Sequence, residues 1–89
     1  MSITMIKINM YDLYFKAFKK LHDYFNSKET YHVLYGDAIM NDKHLSNKDK
    51  YYKLKHEIKV IKRYDAIRKS CLKEMIIVNK KLHKLGERL

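Results

Sequence analysis

The residues of this chain that most invite a chemical reading are cations. Lys55, Lys59, Lys62, Lys69, Lys73, Lys80 and Lys84 follow one another at intervals of 4, 3, 7, 4, 7 and 4. On a helix that spacing aligns side chains in one stripe, with Arg63, Arg68 and Lys81 at its flanks. A row of cations about one turn apart meets successive phosphates and releases their condensed counterions. A blander reading also exists: any helix with one buried face puts its lysines outside, and lysine is a good helix former. The distribution of charge decides between them. Residues 47–85 hold thirteen basic and four acidic residues, whereas residues 1–46 hold six and five. Nearly all of the net charge of +10 therefore lies in the C-terminal half, with few acids to neutralise it, and a polyanionic partner is expected.

The kind of readout follows from residue type. Base-specific contacts draw on Arg, Asn or Gln, and the basic half offers Arg63, Arg68 and Asn79 but no Gln. The expectation is backbone contact through Lys55, Lys59, Lys62, Arg63, Lys69, Lys73 and Lys80. A helix-turn-helix over Tyr31 to Ile61 fits poorly, because Asn41 to Leu45 lacks the usual turn glycine and lysines open the next helix. Tyr51 and Tyr52, set among Lys50, Lys53 and Lys55, have the chemistry to stack on unpaired bases. Tyrosines at helical spacing are more commonly core or rim residues.

A second class of contact is open to the N-terminal half. Tyr11, Phe15, Tyr31 and Tyr35 would suit a protein-binding patch, since aromatics are enriched at interfaces. The bias of the whole sequence toward Lys, Ile, Asn and Tyr matches AT-rich codons, so part of the lysine excess reflects a low-GC genome, a phage or a mobile element. The alternative function is thus a protein-binding module of a phage or mobile element that docks on another protein and inhibits or redirects it.

Other chemistries find little support. His22, His32, His44, His56 and His83 are not arranged at a known metal-ligand spacing, and Cys71 has no second cysteine, so no metal or cofactor is expected. Neither a phosphate-cradling glycine loop nor a nucleophile elbow is present. Asp37 and Asp42 read as caps or solvated acids, and no enzymatic activity is expected. The lone cysteine fits a reducing cytoplasm. The N-terminus lacks a basic n-region, and no run of 18 apolar residues exists to span a membrane.

These side chains must be carried by helices. Proline is absent and glycine occurs only at positions 36 and 86, too little punctuation for a turn-rich β fold. Met10, Leu13, Tyr14, Ala17, Phe18, Leu21, Tyr24 and Phe25 repeat at helical spacing and predict a first amphipathic helix; residues 1–8 read either as a short strand or as its beginning. Asn26-Ser27-Lys28 predicts a loop, followed by a second helix to Met40 with Gly36 in its middle. Asn41 to Leu45 connects to Ser46, which with Asp49 forms a capping-box pattern. Residues 47–85 as one helix would span about 58 Å, more than a compact domain of this size. The apolar stripe Tyr51, Leu54, Ile58, Ile61 gives way to Val60, Tyr64, Ile67, Cys71, Met75, Val78, Leu82 and Leu85. That shift predicts a break or bend around Arg63 to Asp65, the alternative being one long helix in a dimeric coiled coil. Gly86 would end the last helix as its C′ residue. The overall expectation is an all-α single domain over residues 1–89: a small bundle of three to four helices with a long basic C-terminal segment.

Overall fold

The computed structural model describes residues 2–87 and contains two helices, α1 (Ile3–Met40) and α2 (Asn47–Gly86). They fold against each other as an antiparallel hairpin measuring 65 × 14 × 13 Å. The class is all-α as expected, but the bundle of three to four helices is overturned. Both expected breaks are absent, and of the two readings of the N-terminal segment the helical one holds for residues 3–8.

Each helix starts at a serine. Ser2 accepts a hydrogen bond from the Met5 N–H at 3.1 Å, and Ser46 accepts one from the Asp49 N–H at 3.1 Å. These bonds satisfy amide groups that a first turn otherwise leaves unpaired. The link at 41–46 is tied down by its own polar groups. The His44 N–H donates to Asp42 at 2.9 Å, and Lys50 Nζ donates to the Met40 carbonyl at 3.0 Å across the turn. Gly86 does not act as a left-handed C′ residue: it closes α2 in right-handed conformation, and Glu87 caps the end by donating to the His83 and Leu85 carbonyls.

The seam between the helices explains why the breaks fail to appear. On α1 it runs through Thr4, Ile8, Tyr11, Phe15, Phe18, His22, Phe25, Glu29, His32, Gly36 and Ile39, all wholly or partly buried. On α2 it runs through Lys50, Leu54, Glu57, Ile61, Tyr64, Arg68, Cys71, Met75, Val78, Leu82 and Leu85. Steps of four and three alternate along both helices without interruption, which is the heptad pattern of a coiled coil. The apparent stripe shift near residue 60 arises because two seam positions, Glu57 and Arg68, are charged. Likewise, no Pro or Gly interrupts residues 26–28. Asn and Ser cost only a few tenths of a kcal/mol each in a helix, and packing of Phe25, Glu29 and His32 outweighs that.

Polar seam residues pair with one another. His32 Nδ1 lies 2.6 Å from Glu57 Oε2, whose residue is 7% exposed. Arg68 bonds Glu29 at 3.0 Å across the seam and Asp65 at 2.7 Å on its own helix, and Lys69 reaches the same Asp65 at 2.8 Å. Lys69 and Arg68 together hold the Asp65 carboxyl down to about 2. Tyr64 packs between Phe25 and His32, with ring centroids 5.7 and 5.5 Å away. Phe25 opposite Tyr64 and His32 opposite Glu57 set one register, and continuing it by seven residues brings Phe18 to Cys71, where both line one cavity. Paired charge at a helix seam is a poor source of stability, and its best-attested use is to specify register.

Candidate nucleic-acid interface

The lysines lie on the side of α2 turned away from the seam. At about 100° per residue, Lys55, Lys59, Lys62, Lys69, Lys73 and Lys80 fall within an arc of about 80° around the helix. All six are exposed. The ridge reads Lys48, Tyr52, Lys55, Lys59, Lys62, Ala66, Lys69, Lys73, Ile76 and Lys80 in steps of four and three. Arg63 is also exposed but sits further round the helix than the six lysines. Lys48 belongs to the ridge although sequence reasoning omitted it, and Tyr52, read from the sequence as a stacking residue, lies on the ridge too. The signal was available: the spacing continues backward to the cap at Ser46.

Most cations of this ridge lack a carboxylate partner among the described residues, as do Lys7, Lys20, Lys28, Lys53, Lys81 and Lys84 elsewhere, and it is alignment that distinguishes the ridge. On α1, Lys16 pairs with Asp12 at 2.9 Å and Lys19 with Asp23 at 3.2 Å. On the ridge, Lys69 is held by Asp65, and Lys55 lies over the Tyr51 ring at 6.0 Å. Lys48, Lys59, Lys62, Lys73 and Lys80, with Arg63 beside them, have no carboxylate partner among the described residues. Their charge is therefore uncompensated along about 48 Å of helix, at 1.5 Å per residue from Lys48 to Lys80. Beside the ridge lies an open groove of about 460 Å³, lined by Tyr51, Leu54 and Ile58 and edged by Lys55, Lys59 and Lys62. The Tyr51 and Tyr52 rings meet edge to face at 5.4 Å, and both residues are exposed.

The aromatic residues considered for protein contact divide between two surroundings. Tyr11 and Phe15 lie along the seam, half-buried against α2, with Lys81 Nζ over the Tyr11 ring at 5.5 Å. Tyr31 and Tyr35 are exposed and stacked on each other, with centroids 6.4 Å apart. The remaining reactive side chains are dispersed. His22 lies beside Asp23 at 3.2 Å, His32 is committed to Glu57, and Cys71 is buried in the seam. Among the described residues no group of three His, Cys, Asp or Glu side chains comes close enough to hold a metal ion, and no helix is long and apolar enough to cross a membrane.

No protein-family model, curated protein or solved structure matches this chain.

Proposed function

We propose that this chain is a small basic accessory protein that binds nucleic acid through backbone phosphates, within a replication, packaging or regulatory complex in the cytoplasm. The observation that carries this reading is the ridge itself: aligned, exposed cations on one side of a straight helix, mostly without carboxylate partners. Lys55, Lys59, Lys62, Lys73 and Lys80 form the contact, Lys48 extends it, and Arg63 reaches it from the flank. Lys69 contributes less, because Asp65 already neutralises it. A lysine ammonium is a point charge on a flexible stem and suits phosphate contact without base selection. A reduced thiol at Cys71, enclosed in the seam, suits the cytoplasm.

The test is duplex and single-strand binding measured against salt. Each phosphate neutralised adds about −0.9 to the slope of log K against log salt on duplex DNA, and about −0.7 on single strands. Replacing Lys59, Lys62 and Lys73 by Gln should flatten the duplex slope by up to about 2.7 and weaken binding to all sequences alike. Absence of binding at low salt, or a slope the triple variant leaves unchanged, overturns the proposal. One observation favours the second reading, a module that docks on another protein: Tyr31 and Tyr35 present a preformed aromatic pair to solvent.

A further inference from the structure

The hairpin covers only one side of α1. A second apolar row, displaced by one residue from the seam, runs through Ile3, Met10, Tyr14, Ala17, Leu21, Tyr24, Tyr31, Tyr35 and Ala38. From Met10 onward it keeps the same alternation of four and three, with Lys28 filling one step. Leu13 and Leu34, exposed to 65% and 63%, widen it at either end. A helix that is apolar on two sides has two partners in its folded state, and α2 supplies only one.

We infer that the second partner is another copy of this chain, packed α1 against α1. Two observations support pairing of copies through α1. The first is charge. α1 holds five basic and four acidic residues, whereas α2 holds thirteen and four. The row on α1 carries Lys7 and Lys28, with Lys20 at its edge, and no acid, so two copies meeting there bring together three cations from each chain, against the thirteen that each α2 holds. The cations on that side of the hairpin, Lys53, Arg63, Lys81 and Lys84, belong to α2 and stay at the rim. The second is area. A compact monomer of 10.8 kDa exposes roughly 5,500 Å², whereas the hairpin exposes 7148 Å². The excess of about 1,600 Å² is twice what one partner contributes to a standard interface, and matches the per-chain share of an obligate dimer. No large side chain in the hairpin is fully buried, and two copies would enclose a four-helix core.

The opposite side of the hairpin is a poorer candidate. Its apolar residues, including Val33, Ile58 and Leu72, are separated by Asp12, Lys19, Asn26, Asp65 and Asn79. Packing α1 on α1 also leaves the lysine ridge of each copy open, so the dimer presents two basic edges.

Sedimentation of the nuclease-treated chain at high salt and micromolar concentration tests this. The expected mass is twice 10.8 kDa, and Leu21→Glu combined with Tyr24→Glu should halve it. Because that variant can lose its fold along with its partner, a second measurement is needed. Leu21 lies at the midpoint of the row, where a twofold axis in either direction brings it close to its own copy. In a Cys71→Ala background, Leu21→Cys should be bridged between chains by a short bis-maleimide, and Lys59→Cys should not. A monomeric mass without a Leu21→Cys bridge overturns the inference. So does a dimer that survives the double glutamate variant but dissociates with Ile58→Glu.

Discussion

Gly36→Ala is the sharpest single test of an unbroken α1. Gly36 lies in the seam, its φ is not positive, and a Cβ built there meets only Leu54 Cδ2, at 3.8 Å. That is ordinary van der Waals contact and requires nothing to move. Alanine is favoured over glycine inside a helix by about 1 kcal/mol, and part of that gain comes from restricting the unfolded chain. Burial of the new methyl group against Leu54 adds up to about 0.8 kcal/mol. The sum is roughly 1–1.8 kcal/mol of added stability. In a chain of this length 1 kcal/mol raises Tm by roughly 4–8 °C, read by circular dichroism at 222 nm with protein concentration held fixed. Gly36→Leu supplies the control. Leucine is nearly as good a helix former as alanine, and if its extra carbons must displace the Leu54 side chain it falls below Gly36→Ala by about 1–3 kcal/mol. A lower Tm for Gly36→Ala would refute the reasoning, since it would mean that the glycine serves a turn or a closer approach. Equal Tm values for the two variants would mean that the Leu54 side chain makes room at position 36 without loss.

Two further predictions concern the charged seam. His32→Ala leaves the Glu57 carboxylate buried without its 2.6 Å partner and should cost about 2–3 kcal/mol in urea unfolding. Replacing both residues by Leu should recover most of that loss, because a packed apolar pair commonly equals a buried ionic one; a single-variant cost near zero would show that the pair does not form. Asp65 should govern acid sensitivity. Its folded pKa of about 2, set first by Lys69 and then by Arg68, lies below the ordinary value of 3.8. The stability it contributes is therefore complete above about pH 4 and is lost as pH falls through about 2. Asp65→Asn should be less stable than the parent at neutral pH and should lose less on acidification to pH 2. Parallel pH profiles for the two proteins would contradict that linkage.

Much of this molecule is legible in the sequence. The absence of proline, the scarcity of glycine and the spacing of apolar residues determine that the chain is helical. Ser46 with Asp49 determines where α2 begins. The lysine intervals alone place six side chains on one ridge, because helical geometry converts spacing into direction without help from tertiary contacts. The sequence also shows that residues 47–85 lack acids to match their cations.

Only the tertiary structure decided how many helices there are and which of two apolar faces is the seam. Rows including Tyr14, Ala17 and Leu21 on one side and Ile8, Phe15 and Phe18 on the other differ by a single residue of offset, and hydrophobicity alone does not choose between them. The choice depends on Glu29 and His32, which read as surface residues until Arg68 and Glu57 arrive from the other helix. A polar side chain is tolerated in a seam when its hydrogen bonds are met there, and that condition belongs to two distant segments at once. For the same reason the apparent stripe shift near residue 60 resolves into one continuous helix.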